Sequence, residues 1–128
     1  VMTNLAKNPT GFNQNIRIVL NERGRVLALF VNDNDADGHD VSWFWDIDFE
    51  RWSQIDGLSA FVGGTRANDM QVRLKYAGIQ AEIVENVADV LAAASADDGK
   101  VYIIANYTAL PAVRRELEGL EAAAKGEE

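Results

Sequence analysis

Between Asn32 and Asp46 the chain reads NDNDADGHDVSWFWD, with five aspartates, two asparagines and one histidine around a single glycine. Carboxylates crowded this closely repel one another, and a folded domain disperses them unless a cation, a partner surface or a proton transfer uses the charge. Asp33, Asp35 and Asp37 alternate ahead of Gly38, as the first half of an EF-hand calcium loop does. The match then fails, because the twelfth position is Phe44 where a bidentate glutamate belongs. These three aspartates are therefore weak metal candidates. His39 has the side chain of a general base, but a position between Gly38 and Asp40 is ordinarily an exposed loop site. The plainest alternative for the whole stretch is a solvated turn.

Composition narrows the chemistry further. The chain has 128 residues, 48% of them hydrophobic, which suits one domain with one core. Its net charge is −8 and its pI about 4.6, so nucleic acid would be repelled from most of the surface. There is no cysteine, which removes disulfides, thiolate zinc sites and a cysteine nucleophile, and His39 is the single histidine. No apolar run is long enough to span a membrane and no export signal is visible, so a cytoplasmic location is expected.

The elements that must position the acidic stretch follow from periodicity. Residues 1–9 are polar and read as the end of a linker, and a single domain is expected over residues 10–121, with a frayed tail at 122–128. Phe12, Ile16, Val19 and Leu20 share a helical face, with Gly24 as the stop. Val26 to Val31 is apolar throughout, as in a strand covered on both faces. Leu58 to Val62, Ile79 to Val84 and Val101 to Ala105 read as three more strands. Met70, Leu74 and Ala77 mark a helix ending at Gly78, and Val87, Val90, Leu91 and Ala94 mark another, stopped by Asp97-Asp98-Gly99. Thr108 caps a last helix bearing Leu110, Val113, Leu117 and Leu120, with Pro111 in its first turn. Alternation at this spacing predicts a parallel, doubly wound sheet, with the acidic stretch at the carboxyl end of a core strand.

Two further segments could carry chemistry. Trp43, Trp45 and Trp52 lie close together with Phe44 and Phe49, either as a flap over the core or as a docking surface. Gly63-Gly64-Thr65-Arg66 makes a strand-to-helix turn where backbone N–H groups favour an anion, with Thr65, Arg66 and Arg73 as phosphate or nucleotide candidates. It lacks the Walker ending and the full dinucleotide-binding spacing, so a tight turn with surface arginines is an equal reading. Asn106-Tyr107-Thr108 falls on the same edge, and three strand ends converging there favour a site.

The runs NPTGFNQNIR, NDNDADGHDVSWFWDIDFE, GGTRANDMQVRLKYAGI and YIIANYTAL together resemble the C-terminal domain of the MurT family, relatives of the Mur ligases, over Asn8 to about Leu120. Asn106 departs from the pattern, in which threonine is expected before Tyr-Thr. The resemblance implies a Rossmann-like three-layer α/β domain with a mainly parallel sheet, similar to the C-terminal domain of Mur ligases. It also implies a place in peptidoglycan biosynthesis. MurT pairs with a GatD-type glutaminase, and the complex amidates D-glutamate of the lipid II stem peptide to D-isoglutamine at the expense of ATP. The nucleotide, magnesium and zinc sites are implied mostly for a central domain outside this chain, so no cofactor is expected to bind tightly here. The C-terminal domain is implied to lend the glutaminase an aspartate that completes a Cys-His-Asp set. Asp40, at the turn into Val41-Ser42-Trp43, is the first candidate for that acid and Asp37 the reserve, with Trp43, Trp45 and His39 as docking residues. Alone, the domain is expected to have no turnover; a stand-alone calcium- or nucleotide-phosphate-binding module is the alternative.

Overall fold

A computed structural model describes residues 2–33, 40, 42–94 and 100–126. Five parallel strands form one sheet: β1 (Met2–Leu5), β2 (Val26–Phe30), β3 (Ser59–Gly63), β4 (Ala81–Ile83) and β5 (Val101–Ala105), in the order β1-β5-β2-β3-β4. Among the described residues four α-helices accompany them: α1 (Pro9–Asn21), α2 (Ala67–Tyr76), α3 (Val87–Ala93) and α4 (Ala109–Gly126). Every residue of β2 and β5 is buried, as their unbroken apolar runs require of central strands. Successive side chains alternate between two cores. Leu27, Leu29, Tyr102 and Ile104 pack with Phe12, Ile16, Met70 and Leu74 from α1 and α2. Val26, Ala28, Ile103 and Ala105 pack with Val87, Val90, Leu110 and Val113 from α3 and α4. The result is three layers. The chain steps outward from β2 through β3 to β4, then returns across the sheet to β5 on the other side of β2. That reversal opens the crevice between the carboxyl ends of β2 and β5 where sheets of this kind bind ligands.

The expected linker end is corrected. Met2–Leu5 pairs in register with Tyr102–Ala105 as an edge strand, although its sequence lacks a strand pattern. An edge strand is held by backbone bonds to one neighbour and needs little apolar patterning. Asn4 Nδ2 also donates to the buried Asn15 Oδ1 at 2.7 Å, fixing β1 to α1. Helix α1 starts at Pro9, earlier than its apolar face suggests, because the Asn8 side chain caps it by accepting from the Gly11 N–H. The helix α4 runs on through Gly126, past residue 122 where fraying is expected. The stop of Asp97-Asp98-Gly99 lies outside the described residues. No helix among the described residues is long and apolar enough to cross a membrane.

At the end of α1 the stop signal works differently from the expectation. Arg23 takes the left-handed position (φ 57°), its N–H reaching Leu20 O, while the Gly24 N–H reaches Val19 O. Gly24 is needed for space, since a Cβ there would lie 2.6 Å from the Tyr102 ring. The Tyr102 hydroxyl in turn donates to Glu22 Oε2 at 2.5 Å. Burial first, and the Glu22 carboxylate second, push the phenol up from 10.0 to about 12. A raised folded-state pKa means that the unfolded chain releases this proton first. The stabilisation is therefore complete below pH 10 and lost as pH rises from 10 to about 12. Tyr102→Phe should lower stability in neutral urea titrations by about 1 kcal/mol and flatten the alkaline fall in stability. An unchanged alkaline limb would show that Tyr102 does not govern it.

Candidate functional site

Among its described residues the β2–β3 crossover carries two short 3-10 helices, Ser42–Asp46 and Phe49–Gln54. Phe44, Ile47, Phe49 and Trp52 point inward and close the core over α1 and α2, with Trp43 half-buried against Phe12. For most of the aromatic run the core-flap reading holds. Trp45 differs: it is 54% exposed and meets the exposed Tyr76 edge-on at 5.4 Å.

Arg73 fixes the segment. Its side chain is 3% exposed, and Nε donates to Phe44 O at 2.8 Å while Nη2 donates to Ile47 O at 2.5 Å and to Glu50 Oε1 at 2.7 Å. The guanidinium lies 5.3 Å from the ring centroids of both Trp45 and Phe49. Burial opposes ionisation of Glu50, but its own backbone N–H and Arg73 outweigh that and hold its carboxyl below the ordinary value. The phosphate expectation for Arg73 is thereby corrected. Its charge is consumed by two carbonyls and a carboxylate under the aromatic flap, away from the glycine turn.

At the carboxyl edge the three strand ends do converge. Asn106, 3% exposed at the end of β5, accepts the Asn32 N–H at 3.0 Å and donates to Asn32 O at 2.7 Å. The Asn32 side chain continues the link, accepting the Thr65 N–H at 2.9 Å and donating to Thr108 Oγ1 at 3.3 Å. One asparagine thus joins the ends of β2, β3 and β5. The sequence points to both stretches as converging strand ends but not to Asn32 and Asn106 as the side chains that join them; a polar residue directly after a fully apolar strand is the available signal.

Asp33 follows. Its Oδ1 accepts the Thr65 hydroxyl at 2.8 Å and its Oδ2 accepts Arg66 Nε at 2.9 Å, while Arg66 Nη1 reaches Asp69 at 3.1 Å. The Thr65 hydroxyl above all, and then the Arg66 charge, hold the Asp33 carboxyl below its usual range. Asp69 and Asp33 raise the pKa of Arg66. The Thr65 N–H is taken by Asn32 and the Arg66 N–H by Val31 O at 2.9 Å. A carboxylate of the chain itself therefore sits where the turn, Thr65 and Arg66 would receive a phosphate. These residues do not fit a vacant nucleotide cradle, and Asp33, already neutralised by Arg66, does not fit the calcium reading. No metal-binding group of acidic or histidine side chains is found among the described residues.

Asp40 stands at the start of the clamped segment, exposed, with Oδ1 accepting the Ser42 N–H at 2.9 Å. The Ser42 backbone N–H, and then the Ser42 hydroxyl, hold its carboxyl below the ordinary value, so it is ionised at neutral pH. Asp35, Asp37 and His39 lie outside the described residues.

The same layered arrangement occurs in a solved Mur ligase. The UDP-N-acetylmuramate-alanine ligase MurC of Thermotoga maritima superposes with a TM-score of 0.52 over 94% of this chain and 26% of that one, at 11% identity, which speaks for the fold alone. Residues 5–110 match the model of the MurT ligase C-terminal family, and the chain belongs to that family. It is 39% identical over 119 residues to the MurT subunit of the glutamine-hydrolysing lipid II isoglutaminyl synthase of Staphylococcus aureus, covering 91% of this chain and 27% of that one. Its identity to the MurT subunit of Streptococcus pneumoniae is 38% over 111 residues, covering 83% and 25%. The chain thus spans about a quarter of the length of the curated relatives it matches.

Two substitutions probe the geometry. Asn106→Ala leaves both the N–H and the C=O of Asn32 without their partner and should destabilise the domain by about 1–3 kcal/mol in urea unfolding. Arg73→Met removes two charged hydrogen bonds to buried carbonyls and should cost about 3–5 kcal/mol, with tryptophan emission shifting to the red as the flap over Trp52 loosens. Unchanged emission would mean that Arg73 does not hold the flap.

Proposed function

We propose that this chain is the C-terminal domain of the Mur ligase-like subunit of a lipid II isoglutaminyl synthase, which docks a GatD-type glutaminase and supplies Asp40 to its Cys-His site. Supporting the class of enzyme is the kinship with MurT subunits; a subunit has a partner by definition, and these subunits are named for a glutamine-hydrolysing synthase acting on lipid II. A chain with no cysteine cannot provide a glutaminase thiolate itself, but it can provide the acid.

The observation that carries the role of Asp40 is its geometry. It is ionised, open to a partner, oriented by Ser42, and attached to a segment clamped by a buried arginine. An aspartate held in this way would accept the Nδ1–H of the partner's histidine. The tautomer so fixed leaves Nε2 free to take the cysteine proton, and the imidazolium that forms is stabilised by the carboxylate. The thiolate then attacks the glutamine amide carbon, ammonia leaves, and water cleaves the thioester to glutamate. The exposed Trp45 is the docking residue best placed beside this segment, while Trp43 packs inward on Phe12 and Phe44. In the complete subunit ATP and magnesium would be held by residues outside this chain.

In the reconstituted complex, Asp40→Asn should lower ammonia release from glutamine about 10³- to 10⁴-fold while leaving complex formation intact. Retained turnover would move the role to Asp37 if Asp37→Asn abolishes it, and would end the proposal if neither substitution does.

A further inference from the structure

The amino-terminal edge of the sheet, opposite the site above, carries the other sign of charge. Between the end of α1 and the end of the second 3-10 helix runs a groove with two adjoining lobes, of about 640 and 470 Å³. Arg17 and Arg51 line the first, Arg23 and Arg25 the second, and all four are exposed. Leu20 and Ile55, half-buried, form a floor common to both lobes, and Asp56 is the one carboxylate among the lining residues. In a chain of net charge −8, with twenty acids to twelve bases, pairing partners are plentiful. Yet among the described residues Arg17, Arg23 and Arg51 have no carboxylate within ion-pair distance. Arg23 also occupies the left-handed cap position that glycine fills most easily. Guanidiniums gathered in one groove repel one another, and a counter-anion relieves that repulsion.

The distribution of charge selects the kind of anion. Asp33 lies at the carboxyl edge, about 17 Å away along five-residue strands, which is about two Debye lengths at physiological salt. A long polyanion that follows the surface would meet the acidic remainder of the molecule. A flat anionic sheet touching only the amino-terminal edge would meet the arginines, where among the described residues Asp56 lines the groove and Glu22 is engaged by Tyr102 and Lys100. The apolar floor suits a surface that is anionic at its headgroups and apolar beneath. The names of the relatives include lipid II, and a molecule with a lipid tail partitions to such a surface.

We propose that the groove of Arg17, Arg23 and Arg51, with Arg25 at its rim, seats the domain on a membrane of anionic phospholipid, the guanidiniums of the first three contacting headgroup phosphates. The choice of lipid among anions rests on the lipid-linked substrate proposed above. The test below contains no glutaminase and no glutamine, so its failure leaves the role of Asp40 standing.

The chain is sedimented with vesicles of phosphatidylcholine alone and with vesicles in which about one lipid in three is phosphatidylglycerol. Binding to the second only, weakening with salt, is expected. Arg17→Glu with Arg51→Glu should reduce the partition coefficient at least about tenfold, and the milder Arg17→Gln with Arg51→Gln should reduce it less. Arg114→Glu with Arg115→Glu, on the exposed face of α4, should leave it unchanged, and circular dichroism should be the same for all. Equal sedimentation with both lipid compositions, or equal loss from the α4 pair, overturns the proposal. So does binding to soluble polyglutamate in place of vesicles, lost with Arg17→Glu and Arg51→Glu, which would assign the groove to an acidic polypeptide.

Discussion

A positive charge buried beneath an aromatic flap is the constraint on which the site depends. Burying Arg73 costs a great deal of hydration, and the cost is tolerable only where acceptors are fixed in advance around the guanidinium plane. Phe44 O, Ile47 O and Glu50 supply them, and the rings of Trp45 and Phe49 complete the surroundings. A lysine could not meet that planar set of acceptors. The consequence is that the two 3-10 helices of the crossover acquire one position relative to α2. Asp40, two residues ahead of the clamped stretch, inherits that position.

A second tie acts across the sheet. Parallel strands end in unpaired backbone groups at the carboxyl edge, and at the reversal between β2 and β5 those groups face a crevice. The Asn106 amide answers both groups of Asn32, and the Asn32 amide reaches on to Thr65 and Thr108. The edge is thus held rigid by side chains that no packing argument would single out. Asp33 then neutralises Arg66 over the start of α2, so the anion-favouring end of that helix is already satisfied from within.

The sequence was most readable where burial is two-sided or periodic. Val26 to Val31 and Val101 to Ala105 could hardly be anything but central strands, and the helices that cover them follow from their 3.6-residue faces. Met2–Leu5 was not readable, because an edge strand is specified by its neighbour's backbone and by Asn4 meeting Asn15 from another element. The site was legible in part. Residue type and crowding pointed to the acidic stretch and the glycine turn, and to their meeting at one edge. Whether Arg73 faced outward or inward depended on contacts 23 to 29 positions away, which no local pattern encodes. The same holds for Asp33, whose partner is chosen by the fold and not by the alternation of aspartates around it.

The first strand has a practical bearing on how the molecule can be divided. Composition places the domain boundary near residue 10, yet β1 covers the outer edge of β5 along Tyr102 to Ala105. A recombinant piece cut at that boundary would strip a strand from the sheet and leave the backbone of β5 open to any other extended chain. Aggregation of such a truncation would then reflect an uncovered hydrogen-bonding edge and not an unstable core.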